Sequence, residues 1–167
     1  MQEIKYNQES ILKLLSAIHR PGEVREIRIV KTRQGTISGY YNDVEALAGA
    51  ACNWSGKVEG IYITINPVNP QLLARSSNHL TPYAKNTTSD ADITKRTVIL
   101  IDSDPVRPAG ISSDEIEHEA GIKKAYEIRD FLVGQGCPEP IVADSGNGAH
   151  LLVSIDLPND NDSKKLV

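Results

Sequence analysis

The feature that most constrains this chain is the stretch 98–108, VILIDSDPVRP, in which four apolar residues run into two carboxylates and proline then stops the segment. A continuous apolar run over Thr97–Asp102 is the pattern of a strand covered on both faces or set in a sheet centre. Strand alternation puts residues i and i+2 on one face, so Asp102 and Asp104 are expected to project side by side. Two carboxylates that close disfavour each other's ionised form unless a cation lies between them. A divalent ion resolves the conflict, because Mg²⁺ takes oxygen ligands and uses one or two carboxylates together with substrate phosphates. The plain alternative is a strand end that simply meets solvent.

A second polar element follows about forty residues on, at Asp144-Ser-Gly-Asn-Gly-Ala-His150. Its two glycines permit positive φ and leave backbone N–H groups able to nest an anion, and Ser145 and Asn147 add side-chain hydrogen bonds. Leu151, Val153 and Ile155 form the apolar face of the following strand, so His150 falls on the other face with Leu152 and Ser154. Taken alone, SGNG is an ordinary hairpin turn and a single histidine an ordinary structural residue.

Between and around these elements the periodicity predicts a mixed α+β chain. Ile11, Leu12, Leu14, Leu15 and Ile18 keep helical spacing, ended by Pro21-Gly22. Val24–Val30 and Thr36–Tyr41 read as a hairpin around Gln34-Gly35. Asp43 is placed to cap a helix over Val44–Ala51, Gly60–Ile65 reads as a strand, and Gln71–Arg75 as a helical turn. The stretch 78–92 reads as an exposed loop. Ser112 and Glu115 fit a capping box opening a helix to about Val133, with Ala125, Ile128 and Leu132 on one face and Gly134 and Gly136 at its end. Strands over Ile141–Asp144 and His150–Leu157 follow, and Ser163 would cap a last helix. The expected organisation is an N-terminal α/β module over 1–96, then a partial β-α-β-β-α module over 97–167. The latter is the ferredoxin-like, RNA-recognition-type or polymerase-palm plan without its final strand. In that plan the first and third strands are neighbours, which brings His150 towards the carboxylate pair.

Composition excludes several classes. At 40% hydrophobic and 24% charged residues the chain is an ordinary globular one. No run reaches the ~18 apolar residues of a membrane span, and Met1-Gln-Glu-Ile-Lys lacks a leader's apolar region. Two lone cysteines, Cys52 and Cys137, point to reduced thiols and a cytoplasmic location, so the N-x-S/T matches at Asn53 and Asn86 are read as chance. Residues 1–97 carry 12 Lys and Arg against 9 Asp and Glu, whereas 98–167 carry 6 against 13. The acidic half is a poor phosphate surface unless metal ions sit on it, and the mildly basic half suits a polyanion.

Together the two motifs resemble those of the archaeo-eukaryotic primase superfamily, in particular the primase-polymerase domains of phages and mobile elements. Ile101-Asp-Ser-Asp-Pro-Val-Arg-Pro108 is similar to that family's DxD motif, and Ser145-Gly-Asn-Gly-Ala-His150 to its SGxGxH motif. The similarity extends upstream through Gly60-Ile-Tyr-Ile-Thr-Ile-Asn-Pro67 and Ala74-Arg-Ser-Ser-Asn78 and so covers most of the chain. The resemblance implies a DNA primase and polymerase of DNA replication, performing metal-dependent nucleotidyl transfer from nucleoside triphosphates on a single-stranded DNA template and primer. A helicase domain or protein is an expected partner. Asp102 and Asp104 would bind catalytic Mg²⁺ or Mn²⁺. Ser145, Gly146, Asn147, Gly148 and His150 would form the nucleotide pocket, with His150 also catalytic. Arg75, Lys95, Arg96 and Arg107 are candidate phosphate contacts. The family's third carboxylate comes from a later strand that this sequence does not reach, and Asp156, six residues and about 20 Å of strand beyond His150, is a poor substitute.

Two alternatives stand beside this reading. One is a non-catalytic nucleotide- or nucleic-acid-binding module on the same scaffold. The other is a haloacid-dehalogenase-type phosphatase, since Asp-Ser-Asp-Pro-Val also fits a DxDx[TV] signature with Asp102 as nucleophile. Nearly a hundred residues precede that motif here, and the phosphatase reading leaves Ser145–His150 unexplained.

Overall fold

The computed structural model describes residues 7–108 and 110–166; Met1–Lys5, read above for a leader, lies outside them. The chain is a mixed α+β protein with two small antiparallel three-stranded sheets. It divides into two compact units, one running through Arg96 and including Pro158–Asn161, the other comprising Thr97–Leu157 and the end of the chain.

The first unit starts with helix α1 (Gln8–Ile18), opened by Asn7, whose side chain accepts from the Glu9 N–H. Strands β1 (Arg25–Thr32) and β2 (Gly35–Tyr41) form the expected hairpin. Asp43 caps α2 (Val44–Trp54) by accepting from the N–H groups of Glu45 and Ala46. β3 (Gly60–Ile63) then pairs antiparallel with β1, giving the order β2-β1-β3. Alternation sends Ile27, Ile29, Ile37 and Tyr41 to one face, where they pack with Leu15, Leu47, Ala48 and Ala51 of the helices. Ile27, Ile29 and Leu47 are fully buried, each contributing about 2 kcal/mol of transfer free energy. Tyr40 lies on the opposite face with Val24, Val68 and Leu72.

The stretch expected to be an exposed loop is instead docked on β2. Ser38 and Thr81 exchange both backbone hydrogen bonds, the N–H of Tyr40 donates to the Ser76 carbonyl, and that of Ala84 to Thr36. β2 would otherwise be an edge strand with unpaired backbone groups, and this segment satisfies them. The expected helical turn is a 3₁₀ helix over Pro70–Arg75, capped by Asn69.

The second unit has the order β4 (Lys95–Ser103), α3 (Glu115–Gly134), β5 (Ile141–Asp144), β6 (Ala149–Pro158), α4 (Asn161–Leu166), with its first strand residues and the start of α4 drawn from the first unit. Its sheet order is β4-β6-β5, so β4 and β6 are neighbours and β6 is central. β4 is therefore not covered on both faces: Ile101 packs towards Ala125, Ala149 and Leu151, while Leu100 on the other face is 46% exposed. An apolar run alone does not separate these cases. The capping box also sits two residues later than expected. Asp114 is the N-cap and Glu117 reaches back to its N–H, because the carboxylate of Asp114 accepts from the Glu117 N–H at 2.8 Å. Ser163 lies inside α4, buried, rather than capping it.

Candidate functional site

The end of β4 and the β5–β6 hairpin build the site. Nε2 of His150 lies 3.5 Å from Oδ1 of Asp102, with side-chain exposures of 41% and 56%. Because Ile101 and Leu151 face α3, alternation places Asp102 and His150 on the open face of the sheet. β4 ends at Ser103, so Asp104 is carried by the turn that follows rather than by the strand. Its Oδ2 accepts a hydrogen bond from Nη2 of Arg107 at 3.2 Å, and Arg107 also donates to the Ile111 carbonyl. The carboxylate pair thus has one member beside an imidazole and the other beside a guanidinium.

Gly148 joins the two motifs. A Cβ there would stand 2.2 Å from the carbonyl oxygen of Ser103 and 3.2 Å from Oδ1 of Asp104. Gly121 of α3 meets the same junction: its Cβ would lie 3.0 Å from Cα of Gly148 and 3.1 Å from the Ser103 oxygen. Ser103 in turn donates its hydroxyl to the Gly121 carbonyl at 3.1 Å. Side-chain-free positions on the helix and the turn therefore let both reach the strand end that carries the carboxylates.

The glycine turn is more self-contained than its sequence suggests. The N–H of Gly146, where φ is +86°, donates to Oδ1 of Asp144 at 2.7 Å. The N–H of Gly148 donates to the Ser145 hydroxyl at 3.1 Å, and the N–H of Ser145 to the Gly148 carbonyl. These three donors serve the turn itself, which corrects the expectation of an open nest of N–H groups. Asn147 accepts from the N–H and hydroxyl of Ser113, which ties the turn to the segment before α3. Ser145 is exposed and Asn147 half-buried.

No family model, curated protein or solved structure matches the chain.

Nothing in the sequence around His118 marks it as part of this site. From α3 its Nε2 lies 2.9 Å from Oδ1 of Asp144, the same oxygen that receives the Gly146 N–H. The His118 hydrogen bond, followed by that of Gly146, holds the Asp144 carboxyl below the usual carboxylate range. A partner 26 residues away is invisible to local patterning until α3 is placed against β5.

The candidate phosphate contacts scatter. Arg107 belongs to the site. Arg75, at the end of the 3₁₀ helix in the first unit, donates to the Tyr40 hydroxyl at 3.4 Å and lies 6.0 Å from that ring's centroid. Lys95 and Arg96 begin β4 within the first unit, and Nε of Arg96 is buried without a hydrogen-bond partner among the described residues.

Among the described residues, no three His, Cys, Asp or Glu side chains converge to hold a metal ion. Asp102 and Asp104 instead offer the sparse carboxylate set that Mg²⁺ uses when water and substrate phosphates complete its shell. Both are accessible, at 56% and 44% side-chain exposure, so solvent reaches them and either could take a hydrated cation.

Proposed function

We propose that this chain handles a metal-bound nucleoside triphosphate in nucleotidyl transfer of the archaeo-eukaryotic primase type, its second unit serving as a ferredoxin-like, palm-type module. The observation that carries the reading is the meeting of two motifs far apart in sequence: Asp102 and His150 at 3.5 Å, with Gly148 against Ser103 and Asp104. The order β4-β6-β5 with α3 between β4 and β5 supports it, being that of a split β-α-β unit.

Asp102 and Asp104 would hold Mg²⁺ or Mn²⁺, which when bound neutralises triphosphate charge and favours in-line displacement. His150 and the Ser145 hydroxyl would donate to phosphate oxygens, and Gly148 keeps the turn close enough for both to reach. Arg107 would exchange Asp104 for a phosphate oxygen as the cation arrives. In the transfer itself a primer 3′-hydroxyl attacks the α-phosphorus, its proton leaves to solvent or a nearby base, and pyrophosphate departs. Single-stranded DNA, a primer and an associated helicase are the partners this reading implies.

A non-catalytic nucleotide-binding role on the same residues is favoured by the lack of a third ligating side chain among the described residues. The deciding experiment measures Mn²⁺-dependent binding of a nucleoside triphosphate and primer synthesis or extension on single-stranded DNA. The Asp102→Ala/Asp104→Ala variant serves as the comparison. Binding and incorporation that both vanish in the variant support the proposal. Binding without incorporation selects the non-catalytic role, and neither activity in the parent chain refutes both. Release of phosphate from a simple monoester, lost in Asp102→Asn, would instead select the phosphatase.

Among the described residues no helix is long and apolar enough to cross a membrane.

A further inference from the structure

Asp144 closes β5, and its register partner across the hairpin is Ala149, the neighbour of His150. Val142, Ala149 and Leu151 pack with Ala125 of α3, so by alternation Asp144 faces the helix, while Ala143 and His150 face the open side. His118 approaches Asp144 from the helix, its Nε2 2.9 Å from Oδ1. A ligand held at Asp102 and His150 thus has the sheet between itself and His118.

Two ties from the start of α3 hold the glycine turn at its two shoulders. At one, Oδ1 of Asp144 meets both the His118 ring and the Gly146 N–H, at 2.9 and 2.7 Å. At the other, Oδ1 of Asn147 accepts from the N–H of Ser113 at 3.2 Å. Glycines at 146 and 148 open many other backbone conformations to this turn, so its shape depends on such ties. Between them the Ser145 hydroxyl accepts from the Gly148 N–H at 3.1 Å, which leaves its own proton to be donated outward.

The side chains of His118 and Asp144 are 29% and 58% exposed, and a pair so open to solvent adds little to the stability of the fold. What the pair fixes is a direction. Asp144 stands at the joint between β5 and the turn, so a change in its anchoring is felt at Ser145 on one side and, through Ala149, at His150 on the other.

We infer that His118 is a positioning residue of the nucleotide pocket, a role that rests on the nucleotidyl-transfer reading: it holds Asp144 from behind the sheet and so sets the turn that carries Ser145 and leads into His150. It touches neither nucleotide nor cation, and therefore bears on the affinity for the triphosphate and not on that for Mn²⁺ alone.

A double-mutant cycle tests this, read by titrating the full chain with Mn²⁺ and a nucleoside triphosphate. His118→Ala should weaken triphosphate binding about tenfold, the scale of one charge-assisted hydrogen bond, and leave Mn²⁺ binding without nucleotide unchanged. Asp144→Ala should weaken it at least as much, and the double variant no more than Asp144→Ala, because both substitutions act through one contact. His118→Gln, which keeps an N–H donor at similar reach, should restore most of the affinity. A role in folding alone would instead lower thermal unfolding in His118→Ala and leave the affinity of the folded protein unchanged.

A further readout needs no nucleotide. The His118 hydrogen bond is the foremost influence holding the Asp144 carboxyl below its usual range, so that carboxyl, followed by NMR, should titrate higher in His118→Ala. Triphosphate affinity unchanged in His118→Ala, additive losses in the double variant, an equal fall in Mn²⁺ affinity, or an Asp144 titration that does not move would each overturn the role of His118 while nucleotide binding by the parent chain stands. A parent chain that binds no triphosphate with Mn²⁺ overturns the site itself, and the role of His118 with it, even where the Asp144 titration moves.

Discussion

Oδ1 of Asp102 and Nε2 of His150 stand 3.5 Å apart across neighbouring strands, although 48 positions separate them in the chain. That spacing puts a carboxylate able to ligate a cation and a ring nitrogen able to meet an anion at one point of the sheet. Substituting Asp102→Asn should therefore abolish Mn²⁺-dependent nucleotide binding, whereas His150→Ala should weaken nucleotide binding about tenfold while leaving weak Mn²⁺ binding in place. Isothermal titration with Mn²⁺ alone, nucleotide alone and the two together separates these outcomes. Equal loss of metal binding in both variants would make His150 a ligand rather than a phosphate donor.

Arg107 competes with any cation for Asp104, since its Nη2 lies 3.2 Å from Oδ2. The pair is half in solvent on the carboxylate side, so its stabilising contribution is small. Replacement by Gln should tighten Mn²⁺ binding in the absence of nucleotide, because one competing charge is gone. Nucleotide affinity should fall in the same variant if the freed guanidinium normally turns to phosphate. Paramagnetic relaxation by Mn²⁺, measured with and without triphosphate, reads both effects in one preparation.

Glu26 predicts an acid sensitivity that has nothing to do with the candidate site. It is 1% exposed, accepts from Arg28 at 2.7 Å and from the Thr88 N–H at 3.0 Å, and shares a hydrogen bond with the Ser38 hydroxyl at 2.5 Å. Burial pushes its carboxyl up, but the bonds from Arg28, Ser38 and Thr88 together outweigh burial and bring it below the ordinary value. A depressed folded-state value means the stabilisation is complete above the unfolded carboxyl's pKa of about 4.3 and is lost as pH falls through the folded value. Urea denaturation between pH 7 and pH 3 should show that loss, and Glu26→Ala should remove Glu26's share of the pH dependence and on the order of 3 kcal/mol at neutral pH. Amide exchange should accelerate first around Thr88, whose N–H the carboxylate holds.

What was legible in the sequence was mostly what local chemistry decides. Asp43 before an apolar helical pattern, Gln34-Gly35 between alternating runs, and Gly-Asn-Gly between strands specify their own geometry. The adjacency of Asp102 and His150 followed from the order of elements, because a β-α-β-β arrangement leaves few ways to pair strands. What escaped was set by long-range partners. Nothing within ten residues of Glu26 announces that Thr88 will sit on its carboxylate, so the polar stretch after Asn78 read as exposed. The capping box shifted because Ser112, Ser113 and Asp114 all suit an N-cap, and Ser113 is engaged by Asn147 from the distant turn. The Gly146 and Gly148 N–H groups looked available only because the carboxylate of Asp144 and the hydroxyl of Ser145 were not yet in place.

Gly146 and Gly148 are equivalent in sequence and opposite in structure. Gly146 has φ +86° with nothing within 4 Å of a Cβ, so alanine there meets only the left-handed strain of about 1–2 kcal/mol. Gly148 would place a Cβ 2.2 Å from the Ser103 carbonyl oxygen, a backbone atom at the end of β4 that no side-chain rotation can move aside. Gly148→Ala must therefore push the turn away from Ser103 and Asp104, or unfold the sheet of the second unit. Thermal unfolding should be lowered modestly in Gly146→Ala and much more in Gly148→Ala. Ser103 and Asp104 amide shifts in NMR spectra should move only in the latter. If Gly146→Ala alone removed nucleotide binding while Gly148→Ala retained it, the contact between the turn and the strand end would have no part in forming the site.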